Sequence, residues 1–313
     1  MKQNKIKGFI ILLITSIVWG FAFVAQDIAA KHIQPFTVNA LRCIIGALVL
    51  LPVIIFSSIK NKRPIFEKDK RKRNDLIAAS ILCGVFLCIG VNLQQFGISM
   101  YPIDAATSGR SGFITALYVV FVPITGVFLK KKLGLNSLIS VLLATIGMYL
   151  LCLSNGLKHV YLGDLVVLGS AFGFTLQILC IDRFSHLVDG IKLSALQFFV
   201  CGVLSTILMF IFETPTIENI KESLLPILYL GIVSSGIGYT LQIVGQQYSQ
   251  RPTLDSIIMS LESVFAVIGG ALILHEHLLT NEIIGCVVMF IAIIFAQLPT
   301  SIFKIDRESK ETE

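Results

Sequence analysis

The chain has 313 residues, 55% hydrophobic and 14% charged, with a mean hydropathy of +0.84 and a formal charge of +6. That balance excludes an ordinary soluble domain and makes the chain an integral membrane protein. The surplus positive charge sits in short clusters between apolar runs, where it sets orientation in a lipid bilayer rather than marking a nucleic-acid partner.

Taken in chain order, ten apolar runs approach the length of a helix across about 30 Å of hydrocarbon, where backbone groups must be satisfied internally. The first covers 8–30. It follows Lys2, Lys5 and Lys7, as a signal peptide would, but it reaches spanning length and carries Trp19-Gly20 at its centre, so it is expected to stay as the first span. The next four are 36–59, 76–97, 104–129 and 137–153, and the last five are 163–181, 192–212, 223–245, 254–274 and 282–298. Of the 25 lysines and arginines, 20 fall at the two ends and in the connections on the same side as those ends. Only Lys31, Lys158 and Lys221 fall on the other side, while Arg42 and Arg110 lie inside spans. Basic loops stay in the cytoplasm, so both termini are expected inside, with the chain a multi-pass protein of the plasma membrane.

The seven cysteines (Cys43, Cys83, Cys88, Cys152, Cys180, Cys201 and Cys286) all fall in apolar runs, without a C-x-x-C or a nearby histidine. They read as small buried hydrophobes, and no metal or cofactor is expected.

A glycine-bracketed phrase occurs twice. Gly90-Val-Asn-Leu-Gln-Gln-Phe-Gly97 and Gly238-Tyr-Thr-Leu-Gln-Ile-Val-Gly245 both fit G-x-x-L-Q-x-x-G, which places Gly90, Leu93, Gln94 and Gly97 on one helix face. Matching the phrases pairs span three with span eight and implies two five-helix units, 1–160 and 161–313. Trp19-Gly20 then meets Phe172-Gly173, Asn39-Ala-Leu-Arg42 meets Ser194-Ala-Leu-Gln197, and Leu117-Tyr118 meets Leu261-Glu262. A unit with an odd number of spans inserts its copy the other way up. Such inverted repeats are a construction of secondary transporters, in which the two halves exchange conformations around a central site. No G-x-x-x-x-G-K-[ST] is present to supply an ATP motor. The two copies of the phrase are expected near the outer end of span three and the inner end of span eight, as packing surfaces or as contacts of two alternating gates.

With these features the chain resembles the EamA family of the drug/metabolite transporter superfamily. The resemblance rests on the two five-helix halves, Trp19-Gly20, Arg42, the phrase from Gly112 to Pro123, Leu261-Glu262, and His275-Glu276-His277-Leu278. Ser263 stands where the family usually has a proline, and Lys130-Lys131-Lys132 where it often has an acidic residue. The resemblance implies an all-α integral membrane fold of ten transmembrane helices in two inverted repeats, a cavity between the halves, and transport of small metabolites, commonly amino acids or related compounds, often outward.

Ionisable groups inside spans are costly and therefore candidate functional groups. Glu262, near the middle of span nine, suits uptake and release of a proton, with a structural hydrogen-bonded carboxyl as the alternative. Arg110, in Ser108-Gly-Arg-Ser-Gly112, can hold a substrate carboxylate, pair with Asp104 or Glu262, or act as an anchor. Arg42 is read as structural or gating, with Asp27 as its expected partner. Gln94, Gln242, Trp19, Tyr118 and Tyr239 complete the candidates for contact with a substrate or coupling ion; Trp19 shares a face with Phe23, and Tyr239 with Gln242. Gly169-x-x-x-Gly173 marks a close helix crossing. Gly109-Arg-Ser-Gly112 also fits the G-x-S-G phrase of intramembrane serine proteases, but the five histidines fall in predicted loops, so no enzyme is expected. His275 and His277 do not share a helix face and are not expected to bind metal.

The expected function is a secondary active transporter of a small metabolite working by alternating access. Its expected partners are that small molecule, the lipid bilayer and, as coupling ion, a proton, in a monomer or homodimer. A passive channel and a non-transporting scaffold are the competing classes.

Overall fold

The computed structural model describes residues 2–60, 64, 68–102, 107–129, 135–152, 161–275 and 280–297. Among them there are helices and no strands. The helices are α1 (Lys2–Ala30), α2 (Pro35–Lys60), α3 (Lys70–Ser99), α4 (Thr107–Ala116), α5 (Tyr118–Phe128), α6 (Leu135–Cys152) and α7 (Leu162–Phe184). There follow α8 (Gly190–Phe212), the short α9 (Ile217–Glu222), α10 (Leu224–Leu228), a π-helical stretch Tyr229–Tyr239, α11 (Thr240–Ser249), α12 (Pro252–Met259), α13 (Glu262–Ile273) and α14 (Thr280–Gln297). Eight continuous helical segments among the described residues are long and apolar enough to cross a membrane. Two further apolar helices of 18 residues each, α6 and α14, pack on each other. Large apolar side chains such as Phe128, Phe210 and Leu225 point outward, as lipid-facing residues do.

Local sequence sets the helix ends. Asp69 caps α3 by accepting from the backbone N–H of Arg71, and Asp189 caps α8 by accepting from Ile191 and Lys192. Both caps leave basic residues in the first turn, at the inner face assigned by the loop charges. The buried Glu213 carboxylate caps α2 from the end of α8, accepting from the Phe36 and Thr37 N–H groups and the Thr37 hydroxyl, each at 2.7 Å.

Two interruptions were not expected from the sequence. Span four breaks at Leu117 and span nine at Leu261, each at a residue with nearly the same backbone angles (φ −61°, ψ −9° and φ −59°, ψ −13°). Each N–H donates to the residue three back, Ile114 and Ile258, at 3.2 Å in both cases, a single tight turn between two α-helical pieces. Tyr118 and Glu262 are the first residues beyond the breaks.

Helix pairing repeats under a shift of five spans. α3 packs on α7 as α11 packs on α1, α1 packs on α13 as α7 packs on α5, and α2 and α8 pack on each other. Contacts fix the register. Gly8 abuts the Gly245 carbonyl as Gly163 abuts that of Gly97; Leu12 meets Gly245 as Val167 meets Gly97; Trp19 meets Gly238 as Phe174 meets Gly90. The spatial match of Trp19 is therefore Phe174, two residues beyond the expected Phe172, whose side chain faces outward. The shared glycine misled the reading: Gly20 fits against Phe265 of α13, but Gly173 fits against Gly90 of α3, a different side of the bundle.

The π-helical stretch has a matching explanation. Gly84 lies against the Gln197 carbonyl and Val200, and Gly231 against the Arg42 carbonyl and Ile45, so Gly84 matches Gly231, 147 positions on. Gly90 matches Gly238, 148 positions on. Span eight therefore carries one residue more than span three between these points, and it absorbs that residue by widening to a π-helix.

Candidate functional site

Between the halves lies a cavity of about 30 Å³. In this state it is narrow. Seven of the nine sequence candidates line it: Trp19, Arg42, Gln94, Tyr118, Tyr239, Gln242 and Glu262.

The two charged groups sit on different walls, Arg42 on α2 and Glu262 at the start of α13, and are 2% and 3% exposed. No ion pair joins them. Arg42 Nε, Glu262 Oε1 and the Tyr118 hydroxyl are all buried without a hydrogen-bond partner. Tyr118 stands near enough to Glu262 to interact electrostatically, but their atoms do not meet hydrogen-bond geometry. Tyr239, stacked on Trp19 with ring centroids 4.6 Å apart and edge-on to Phe198 at 5.3 Å, lies within electrostatic range of both Arg42 and Glu262. Leaving buried polar groups unpaired is expensive, and three such groups line this one cavity.

The repeated phrase supplies the polar middle of the cavity. Gln94 Oε1 accepts from Gln26 Nε2 of α1 at 2.8 Å, and Gln94 Nε2 donates to the Thr115 hydroxyl at 3.0 Å. Gln242 Nε2 donates to Gln177 Oε1 of α7 at 3.2 Å. Each glutamine bonds within its own half, while the glycines of the same phrase press against the other half. The two glutamines therefore meet at one central cavity rather than at opposite faces. The glycines Gly97 and Gly245 carry the phrase out to the two ends, where they touch Gly163 and Leu12. Trp19 Nε1 points to the Ser234 carbonyl of the π-helical stretch at 3.4 Å.

Arg110 is elsewhere. Its guanidinium grips Asp164 bidentately, Nε to Oδ1 at 2.6 Å and Nη2 to Oδ2 at 2.5 Å, and lies 4.8 Å from the centre of the Tyr161 ring. The Tyr101 hydroxyl donates to the same carboxylate at 2.7 Å, and so does the Tyr161 N–H at 2.8 Å. This cluster lies beside the Gly97–Gly163 contact. Of the partners expected for Arg110, Asp104 lies outside the described residues, and Glu262 lines the cavity. Asp27, expected opposite Arg42, pairs with Lys31 at 3.5 Å one turn along its own helix. The Ser111 hydroxyl donates to the Thr107 carbonyl of its own helix at 2.5 Å, and His32, His186 and His275 are exposed, while Glu276, His277 and His159 lie outside the described residues.

Gln26, Thr115, Phe174, Gln177 and Ser234 also line the cavity and were not singled out from the sequence. A signal was available for Gln26, which follows Trp19 by two helical turns and so shares its face.

A helical bundle with lipid-facing outer surfaces and an enclosed polar cavity between paired halves is a multi-pass membrane protein of the transporter kind. The EamA-like transporter family matches the chain twice, over residues 6–153 and 161–297, and the chain belongs to that family. An uncharacterized transporter of Archaeoglobus fulgidus is 27% identical over 92% of this chain and 84% of its own length. The uncharacterized transporter YoaV of Bacillus subtilis is 23% identical over 91% and 94%, and protein PagO of Salmonella typhimurium 22% identical over 96% and 97%. A solved crystal structure covers 95% of this chain and 98% of its own with a TM-score of 0.74 at 16% identity, a likeness of fold.

Proposed function

We propose that the chain is a secondary active transporter of a small zwitterionic, amino-acid-like metabolite, working by alternating access with a proton as the coupling ion and moving its substrate outward across the plasma membrane. Arg42 receives the substrate carboxylate, Glu262 its ammonium group or, in exchange, a proton, and Trp19 and Tyr239 pack on the apolar part. The observation that supports this reading is a buried arginine and a buried carboxyl that line one cavity, with Arg42 Nε and Glu262 Oε1 each lacking a hydrogen-bond partner. A fixed cation can take a carboxylate bidentately, and a buried carboxyl can be neutralised by either a proton or an ammonium, which makes the two compete. The narrowness of the cavity fits a state that must open to load.

In this reading α6 and α14 complete ten spans, 1–160 and 161–313 form the two inverted units, and both termini lie inside. Proteoliposomes test it: counterflow of a labelled amino-acid mixture, saturable and driven by a pH gradient, is expected. Flux that rises linearly with concentration, or none, would overturn it. Comparing metabolites inside and outside cells that lack or overproduce the protein then names the compound and the direction.

A further inference from the structure

Asp255 has no part in the cavity. It lies on α12 with 0% exposure, and both its carboxylate oxygens lack a hydrogen-bond partner. It precedes Glu262 by seven residues, on the piece of span nine before the break at Leu261, about two helical turns away along the span. The charged groups that face Asp255 are Asp182 at the inner end of α7 and Arg251 just before α12, with Ser249 of α11 beside them. Asp182 is half-buried and Arg251 exposed. Asp182 beside Asp255, and Glu262 further along span nine at the cavity, are thus three acids in order from the inner end of the bundle.

The other half gives this row its meaning. By the contact register of 155 positions in spans one and six, and the 144 positions between the breaks of spans four and nine, the matching residues are Asp27, Ser111 and Tyr118. Asp27 is paired to Lys31, Ser111 is bonded to its own helix, and Tyr118 bears a phenol. Only the inner side holds three acids in line. An ionised carboxylate with no partner at 0% exposure is far too costly to persist, so Asp255 has to carry a proton in this state.

We propose that Asp255 is a proton-binding station that connects Glu262 to the inner face through Asp182. A proton leaves the Glu262 carboxyl, is taken up by the Asp255 carboxylate, passes to Asp182 and enters bulk water, and the reverse sequence reloads Glu262. The interval exceeds one hydrogen bond, so water admitted when the inner side opens carries the proton between stations. Glu262 is faced by Tyr118 and Tyr239, neither of which offers it a basic partner. The inference rests on the proton-coupled reading.

Its test uses infrared difference spectroscopy on proteoliposomes sorted to one orientation, with no substrate. One carbonyl-stretch component of the protonated carboxyls is expected to vanish in Asp255→Asn and to persist in Glu262→Gln. Deuterium exchange at Glu262, with heavy water on the inner side, is expected to slow about a hundredfold in Asp255→Asn and to recover in Asp255→Glu. Unchanged exchange in Asp255→Asn, or equal exchange from the outer side, overturns the proposal. Should Asp255→Asn fail to fold, Asp182→Asn at its half-buried position decides, with slowed exchange expected and normal exchange overturning the relay. Coupling is judged separately: pH-driven flux indifferent to Glu262→Gln removes the coupling reading, and the exchange rates still decide the path.

Discussion

At matched positions of the two halves, backbone and chemistry part company. The breaks at Leu117 and Leu261 have nearly the same geometry, yet the residue presented next is a phenol in one half and a carboxyl in the other. Arg42 and Gln197 press their carbonyls on matching glycines, yet only one carries charge. The outer end is clamped by Arg110, Asp164 and two tyrosines; at the inner end the matching glycine contact of Gly8 with Gly245 has no ion pair beside it among the described residues. The lesson is that repetition supplies the frame, and departures from repetition supply its polarity. A cavity with identical halves would hold like groups at both walls and could not distinguish the two ends of a zwitterion.

The largest expected effect comes from changing the residues that follow the two breaks. Glu262→Gln is expected to abolish pH-gradient-driven flux of a labelled amino-acid mixture while exchange partly survives, whereas Tyr118→Phe at the matched position lowers it only about tenfold. Equal losses in the two variants would show that the halves are not distinguished by their chemistry at this point. Next comes Arg42→Gln, which gives both halves a glutamine. Losing a charge-assisted contact of about 1.5–3 kcal/mol raises the half-saturating concentration roughly 10- to 100-fold, read from counterflow kinetics. An unchanged value would remove Arg42 from substrate binding.

The clamp is a third contrast. Asp164→Asn leaves Arg110 beside a neutral partner and is expected to raise labelling of an introduced Thr115→Cys by a membrane-impermeant thiol reagent from the outside, with a thermal-stability loss of about 1–3 kcal/mol. If labelling does not change, the cluster is an anchor and not a closure.

Span order, the basic-loop pattern and seven cavity residues were legible in the sequence because each is a local signal: a long apolar run, a charge inside one, a repeated phrase. What stayed hidden depends on neighbours. Asp164 and Asp255 stand a residue or two inside the ends of predicted spans, where an acid ordinarily reaches headgroups or water. Their burial is imposed by Arg110 and the tyrosines in one case and by the packing of α7 and α11 in the other. The helix breaks were invisible because Leu117 and Leu261 are good helix formers, and no glycine or proline marks the turn. The π-helical residue leaves only a change of spacing from 147 to 148, which becomes readable once contacts fix which glycines match.

The smallest expected effect is also the sharpest comparison, because Asp27 and Asp182 are the same residue at matched positions. Asp27 is tied to Lys31, whose side chain is 55% exposed, by a contact that spans one helical turn. Such pairs contribute about 0.2–1 kcal/mol, so Asp27→Asn is expected to leave flux unchanged and to shift the melting temperature in detergent by at most a few degrees. Asp182→Asn removes a group of the same chemistry from the mouth of the carboxyl row. Its cost is expected in the rate of pH-driven flux, not in stability. If both variants leave pH-driven flux unchanged, the carboxyl row has no direction, and the difference between the inner and outer sides reduces to the clamp alone.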